Sequence, residues 1–308
     1  MRDGLKIPIL SSLLLFTAAC GSADLRPDTL ATQGPQHIDV QRGRALLRDA
    51  ARAHGIDAWA GITTIEARLQ DDWQGFAGAL VKPWDEEDVF TLRWVAGTFD
   101  ADLTFVEGER VGERQGLQNG HTWHIEPGES LTIEPDEDTR FNLSAYIYFL
   151  ELAYRLGTAE HVVALEDGVF RGQKYHRVFA TWGALAPHSD ADQYIVWINT
   201  DTHLVELCQF TVRDKFDFVK SWIYFDEMRE IDGLSIPFIA SVASDLDEDY
   251  AESYIHQLRV LEWSHDQFTP GELYVDPSLG RMGSAKPSTI DSAEERTEGH
   301  GLLKGGYM

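Results

Sequence analysis

Phe141-Asn-Leu-Ser-Ala-Tyr-Ile-Tyr-Phe-Leu-Glu-Leu-Ala-Tyr-Arg-Leu156 is the stretch that decides the fold. Apolar and aromatic residues surround nearly its whole circumference, which predicts a helix buried on almost every side. Asp138 or Thr139 stands where a cap belongs, and Gly157 follows the end. The segment lacks the length and unbroken apolarity of a membrane span, which takes about 20 apolar residues. Before it, the hydrophobic period is two. Ile65, Ala67 and Leu69 alternate with Thr64, Glu66, Arg68 and Gln70, and Phe90, Leu92, Trp94 and Ala96 alternate with Thr91 and Arg93. Ala101, Leu103 and Phe105 repeat the pattern. Each run fits an antiparallel strand with one dry face. Strand patterns resume over 175–182, 193–199, 203–213, 219–225, 236–244 and 254–263, with turn signals at Asn119-Gly120 and at 199–202. The expected class is α+β: a strongly curved antiparallel meander wrapped around one apolar helix, which serves as lid or plug.

Working outward, Asp39 would cap a helix that runs to about His54 and stops at Gly55. The folded domain is expected over 38–276. Residues 277–308 are rich in Gly, Ser, Pro and charge and read as a disordered tail. At the other end Arg2 and Lys6 precede an apolar run from Ile7 to Phe16, then Thr17-Ala18-Ala19-Cys20-Gly21-Ser22. A basic start, a short apolar segment and small residues make a secretory signal over 1–19. The cysteine directly after the small residues resembles the lipobox of bacterial lipoproteins, in which that thiol takes a lipid. The resemblance implies a mature chain anchored through Cys20. Gly21-Ser22 after the cysteine, with no Asp at the second mature position, implies the outer membrane, facing the periplasm or the surface. Residues 20–37, with Pro27, Gly34 and Pro35, read as a flexible tether.

Composition excludes several function classes. Lys and Arg total 26 against 51 Asp and Glu, a formal charge of −25. Phosphate backbones require clustered cations, so no nucleic-acid partner is expected. Of the two cysteines, lipid takes Cys20, and Cys208 sits in the apolar run 204–210 as a small buried hydrophobe. The pair His121 and His124 has odd spacing, which sends the rings to opposite faces of a strand, so no metal site is expected there. Asp245, Asp247 and Asp249 imitate half of a calcium loop, but Tyr250 stands where the glycine belongs. No nucleophile motif, phosphate loop or dinucleotide fingerprint occurs, so neither an enzyme nor a cofactor is expected.

The order of elements then carries a resemblance. It rests on Gly172-Gln-Lys-Tyr-His-Arg-Val-Phe-Ala180, on Asp192-Gln-Tyr-Ile-Val-Trp-Ile-Asn-Thr-Asp-Thr-His-Leu-Val205, and on Phe225-Asp-Glu-Met-Arg-Glu-Ile-Asp-Gly-Leu-Ser-Ile-Pro237. Together these resemble the superfamily of the lipoprotein-localisation factors LolA and LolB and the lipoprotein LppX, over most of residues 40–265. The resemblance implies an incomplete barrel, closed by helices, with a hydrophobic cavity for lipid or acyl chains. The motif residues suit turns: Asn199, Asp201 and Gly233 favour tight reversals, and Pro237 suits a strand start. Strand alternation nominates Ile65, Leu69, Phe90, Leu92, Trp94, Leu103 and Phe105 as cavity lining, with Tyr146, Phe149 and Leu150 as the lid. The loop from Trp73 to Trp84, with Phe76, Leu80 and Val81, is a candidate contact for membrane or partner. The alternative is a filled-core lipoprotein scaffold that recruits another envelope protein and binds no lipid.

Overall fold

A computed structural model describes residues 22–84, 88–213 and 215–283. The signal segment with Cys20, and residues 284–308, lie outside these. Six α-helices occur among the described residues: α1 (Asp28–Gln33), α2 (His37–Ala53), α3 (Ile56–Gly61), α4 (Gly75–Val81), α5 (Glu137–Arg155) and α6 (Tyr250–Ser253). The strands form two meanders. The first holds β1 (Thr64–Trp73), β2 (Val89–Val95), β3 (Ala101–Glu107), β4 (Arg114–Gln118), β5 (His121–Ile125) and the short β6 (Thr132–Ile133). The second holds β7 (His161–Ala164), β8 (Gly168–Phe170), β9 (Gln173–Thr181), β10 (Gln193–Asn199), β11 (Val205–Val212), β12 (Phe216–Ile231), β13 (Leu234–Ala243) and β14 (His256–His265).

One antiparallel sheet joins both meanders in the order β6-β5-β4-β3-β2-β1-β14-β13-β12-β11-β10-β9-β7, with β8 beside β9. The seam is β1 against β14, from Ile65 opposite His265 to Trp73 opposite His256. Among the described residues β6 and β7 do not pair, so the sheet is curved but unclosed. Asn119 (φ 49°) and Gly120 (φ 80°) make the expected hairpin turn, and Asp232 (φ 50°) and Gly233 (φ 82°) make another between β12 and β13.

Helix α5 lies inside the curve, touched from both wings. The Tyr146 ring stacks 5.5 Å from Phe90 of β2, and the Tyr148 ring stacks 5.3 Å from Tyr194 of β10. It is therefore a plug, not a lid. Its cap is Asp136, whose carboxylate accepts from the backbone N–H of Asp138 and Thr139 at 3.0 and 3.1 Å. The expectation of Asp138 or Thr139 was two or three residues late.

Four further expectations change. Helix α2 begins at His37 without a side-chain cap, and Asp39 sits in its first turn. Pro237 lies inside β13 opposite Met228, not at a strand start. Residues 277–283, expected to be loose, are held to the sheet: the Asn119 amide donates to Leu279 O (2.8 Å) and Met282 N–H donates to Asp100 Oδ2 (2.8 Å). The fourth is the tether. Ala23 N–H donates to Asp217 O at 2.7 Å, and Leu25 N–H donates to Gln193 Oε1 at 2.8 Å. Leu25 and Leu30 are buried in a second apolar cluster with Phe179, Trp197, Trp222 and Tyr224, on the face of the sheet away from α5. From Ala23 onward the segment is part of the fold.

Candidate functional site

All ten nominated residues come together in one apolar core. Period-two alternation sends Ile65, Leu69, Phe90, Leu92, Trp94, Leu103 and Phe105 to the same side of β1–β3, where α5 lies against them. None exposes more than 8% of its surface. The Trp84 indole closes the top of this cluster, edge-on to Phe90 (5.5 Å) and Phe105 (5.4 Å). In this state the nominated lining is packing, occupied by its own side chains.

Two polar clamps cross the core and fix α5 to the first wing. In the upper clamp Tyr146 Oη donates to Asp71 Oδ2 (2.5 Å), and Trp73 Nε1 donates to the same oxygen (2.7 Å). His256 Nε2 meets the other carboxylate oxygen, and Trp73 stacks on the His256 ring at 4.0 Å. Burial first, and the Asp71 carboxylate second, push the Tyr146 hydroxyl well above the usual phenol range. In the lower clamp Glu151 Oε1 accepts from Trp94 Nε1 (2.9 Å) and Gly97 N–H (3.1 Å). Arg155 pairs with Glu151 Oε2 at 2.7 Å and donates to Thr98 O at 2.7 Å. Such buried charges persist only when they are paired, as Glu151 and Arg155 pair here.

Among the described residues, a small space lies on the opposite side of α5. His54, Phe149, Leu150, Leu152, Ala153, Tyr154, Val205, Phe225, Met228 and Pro237 line a small apolar crevice between α5 and β11–β13. The free space is about 10 Å³, room for one water. His54 stands at its floor as a neutral ring. Val205 N–H donates to Nε2 (3.0 Å) and Nδ1 lies 2.9 Å from Ser235 O, so Nδ1 carries the proton. Burial holds this imidazole below its usual pKa. The wall of the crevice is locally irregular: Glu227 in β12 has φ 49°, and Pro237 opposite Met228 gives no N–H to the ladder.

Of the nominated residues, only Phe149 and Leu150 border this crevice. Sequence reading missed His54, Val205, Phe225 and Met228, which reach one place only through the fold. Pro237, inside the Asp-Gly-Leu-x-Ile-Pro run, was the available signal, because a proline within a strand marks a gap in pairing. The segment from Trp73 to Trp84 is not a loop: Trp73 ends β1, Gly75–Val81 form α4 with Phe76 82% exposed, and Trp84 is buried. Among the described residues no three His, Cys, Asp or Glu gather at metal-binding distance, and no helix is long and apolar enough to cross a membrane.

No family model matches the sequence, and no curated protein matches it. Solved structures do resemble the fold. An outer membrane lipoprotein-sorting protein domain from Vibrio parahaemolyticus aligns at TM-score 0.49 and 10% identity, over 76% of this chain and 97% of its own. A LolA superfamily protein from Nitrosomonas europaea aligns at 0.48 and 11%, over 76% and 97%. A DUF1329 family protein from Desulfovibrio piger aligns at 0.48 and 11%, over 77% and 98%. The second of these carries the superfamily name that the sequence suggests. Likeness at this level says nothing of ligand or partner.

Proposed function

We propose that this chain is a lipid-anchored envelope protein that admits an acyl chain between α5 and the second wing of the sheet, in lipid or lipoprotein trafficking. The observation that carries this reading is the apolar crevice beside α5. The helix is clamped to β1–β2 by buried polar bonds, while Phe149, Leu152 and Ala153 face β11–β13 across apolar surface. Entry requires the crevice to widen, and its wall is least ladder-bound at Glu227 and Pro237. Met228 can re-pack around a guest chain. Each methylene buried there contributes about 0.8 kcal/mol, so a long acyl chain would offset a modest opening.

A second reading, the filled-core scaffold, is favoured by the close packing of all ten nominated residues. One experiment separates the two. Protein extracted from membranes in mild detergent is analysed by native mass spectrometry, before and after solvent extraction, and titrated with a fluorescent fatty acid. A stoichiometric lipid, and loss of uptake in Ala153→Leu with stability lowered by about 1–3 kcal/mol at most, support the carrier. An empty chain that takes up no fatty acid supports the scaffold.

A further inference from the structure

The docked N-terminal segment sets where the body sits relative to an anchor at Cys20. Ala23 is fixed on both sides. Its N–H donates to Asp217 O (2.7 Å) and its carbonyl accepts from the Arg213 guanidinium, which also holds Asp217 O at 2.9 Å. Downstream, Leu25 and Leu30 are buried against Trp222 and Tyr224. An extended chain spans at most about 3.6 Å per residue, so the Cα of Cys20 lies within about 11 Å of the Cα of Ala23. A lipid inserted from Cys20 leaves no length for the body to stand off.

We propose that the β11–β12 hairpin, around Phe218 and Lys220, is the surface that rests on the lipid bilayer. The inference rests on the reading of Cys20 as the anchor. The same hairpin that holds Ala23 shows Phe218 with 72% of its surface to solvent and an exposed Lys220. An aromatic ring two residues from a lysine suits the interfacial zone, where the ring enters the headgroup layer and the ammonium stays wet. The bilayer it fits is zwitterionic. The chain carries −25, and the acidic run from Asp245 to Asp249 follows the neighbouring strand β13, so an anionic surface would repel it.

The test uses the full chain, isolated from membranes with its lipid and placed in vesicles of phosphatidylcholine and phosphatidylethanolamine. Phe218→Cys and Val169→Cys are labelled with an environment-sensitive fluorophore. Cys208 is fully buried and lipid consumes the Cys20 thiol, so the new cysteine alone reacts. Val169 is exposed opposite Lys174, seven residues along β9 from Thr181 at the hairpin end of the sheet, about 23 Å away. With a doxyl quencher on the lipid chains, fluorescence at 218 falls by about half, because an interfacial residue lies within about 5–10 Å of the acyl boundary. Fluorescence at 169 stays unchanged. Vesicle-bound protein whose two labels are equally unquenched overturns the orientation and leaves the anchor standing. Protein that does not float with vesicles and shows no lipid on Cys20 by mass spectrometry overturns both.

Discussion

Tyr146 of α5 donates its hydroxyl to Asp71 of β1 at 2.5 Å, one of the two polar clamps that join the central plug to the sheet. Asp71 also receives Trp73 Nε1 and faces His256, so one carboxylate organises three partners. Asp71→Ala leaves the buried Tyr146 and His256 and the half-buried Trp73 without it and is expected to cost about 3–5 kcal/mol. Tyr146→Phe removes one bond to a charged acceptor and is expected to cost about 1.5–3 kcal/mol. Urea unfolding of both variants measures this, and equal costs would show that the cluster is not centred on Asp71.

Alkaline pH should unfold the protein in a characteristic range. Burial pushes the hydroxyls of Tyr146, Tyr148, Tyr154 and Tyr194 above the ordinary value of 10.0. Above that value the unfolded chain releases these protons while the native state keeps them, so stability falls as pH rises beyond about 10. Tyrosinate absorbance and tryptophan fluorescence should change together, in one cooperative step. Gradual tyrosinate absorbance without unfolding would contradict the buried environment.

The lower clamp predicts an asymmetry. Glu151→Ala strands the buried Arg155 guanidinium and is expected to cost about 3–5 kcal/mol. Glu151→Gln keeps an acceptor for Trp94 and should cost less. In the double variant Glu151→Ala with Arg155→Met, part of the lost stability returns, because no unpaired charge remains. Additive losses in thermal melts would argue against the pairing.

His54 gives a mild acid sensitivity near neutral pH. Its folded pKa is held below the ordinary 6.5 by burial. As pH falls through 6.5 the unfolded chain binds a proton that the native ring refuses, so this contribution to stability is present above 6.5 and lost below it. Denaturant midpoints from pH 8 to 5, compared with His54→Gln, isolate the effect. A variant with the same pH slope as the native protein would remove His54 as the cause.

Much of this was legible in the chain because the signals were long. Sixteen residues with apolar groups all round specify a buried helix, and strict alternation sends Ile65, Phe90, Leu92 and Leu103 to one dry face. Short elements were not legible: α3, α4, β7 and β8 have too few residues for a period to appear. The 22–33 segment misled for a different reason. Pro27, Gly34 and Pro35 indicate an irregular backbone, but irregular is not loose, and Leu25 and Leu30 suffice to dock it. Whether the interior is vacant or filled depends on side-chain volumes meeting from β2, β10 and α5, which no linear pattern encodes. The same holds for the Asp71–His256 contact, made only because β1 lies beside β14.

That seam has a price in time. Ile65 finds its partner His265 only after nearly the whole chain exists, and contacts so distant in sequence slow folding. At a synthesis rate of about 5–20 residues per second, β1 waits roughly 10–40 s for β14. Throughout that interval one edge of β1 is unpaired and the aromatic sides of α5 lack half their cover. Nascent chains should therefore depend on a holding chaperone. A truncation before Trp263 should lead to aggregation, not to a smaller folded protein.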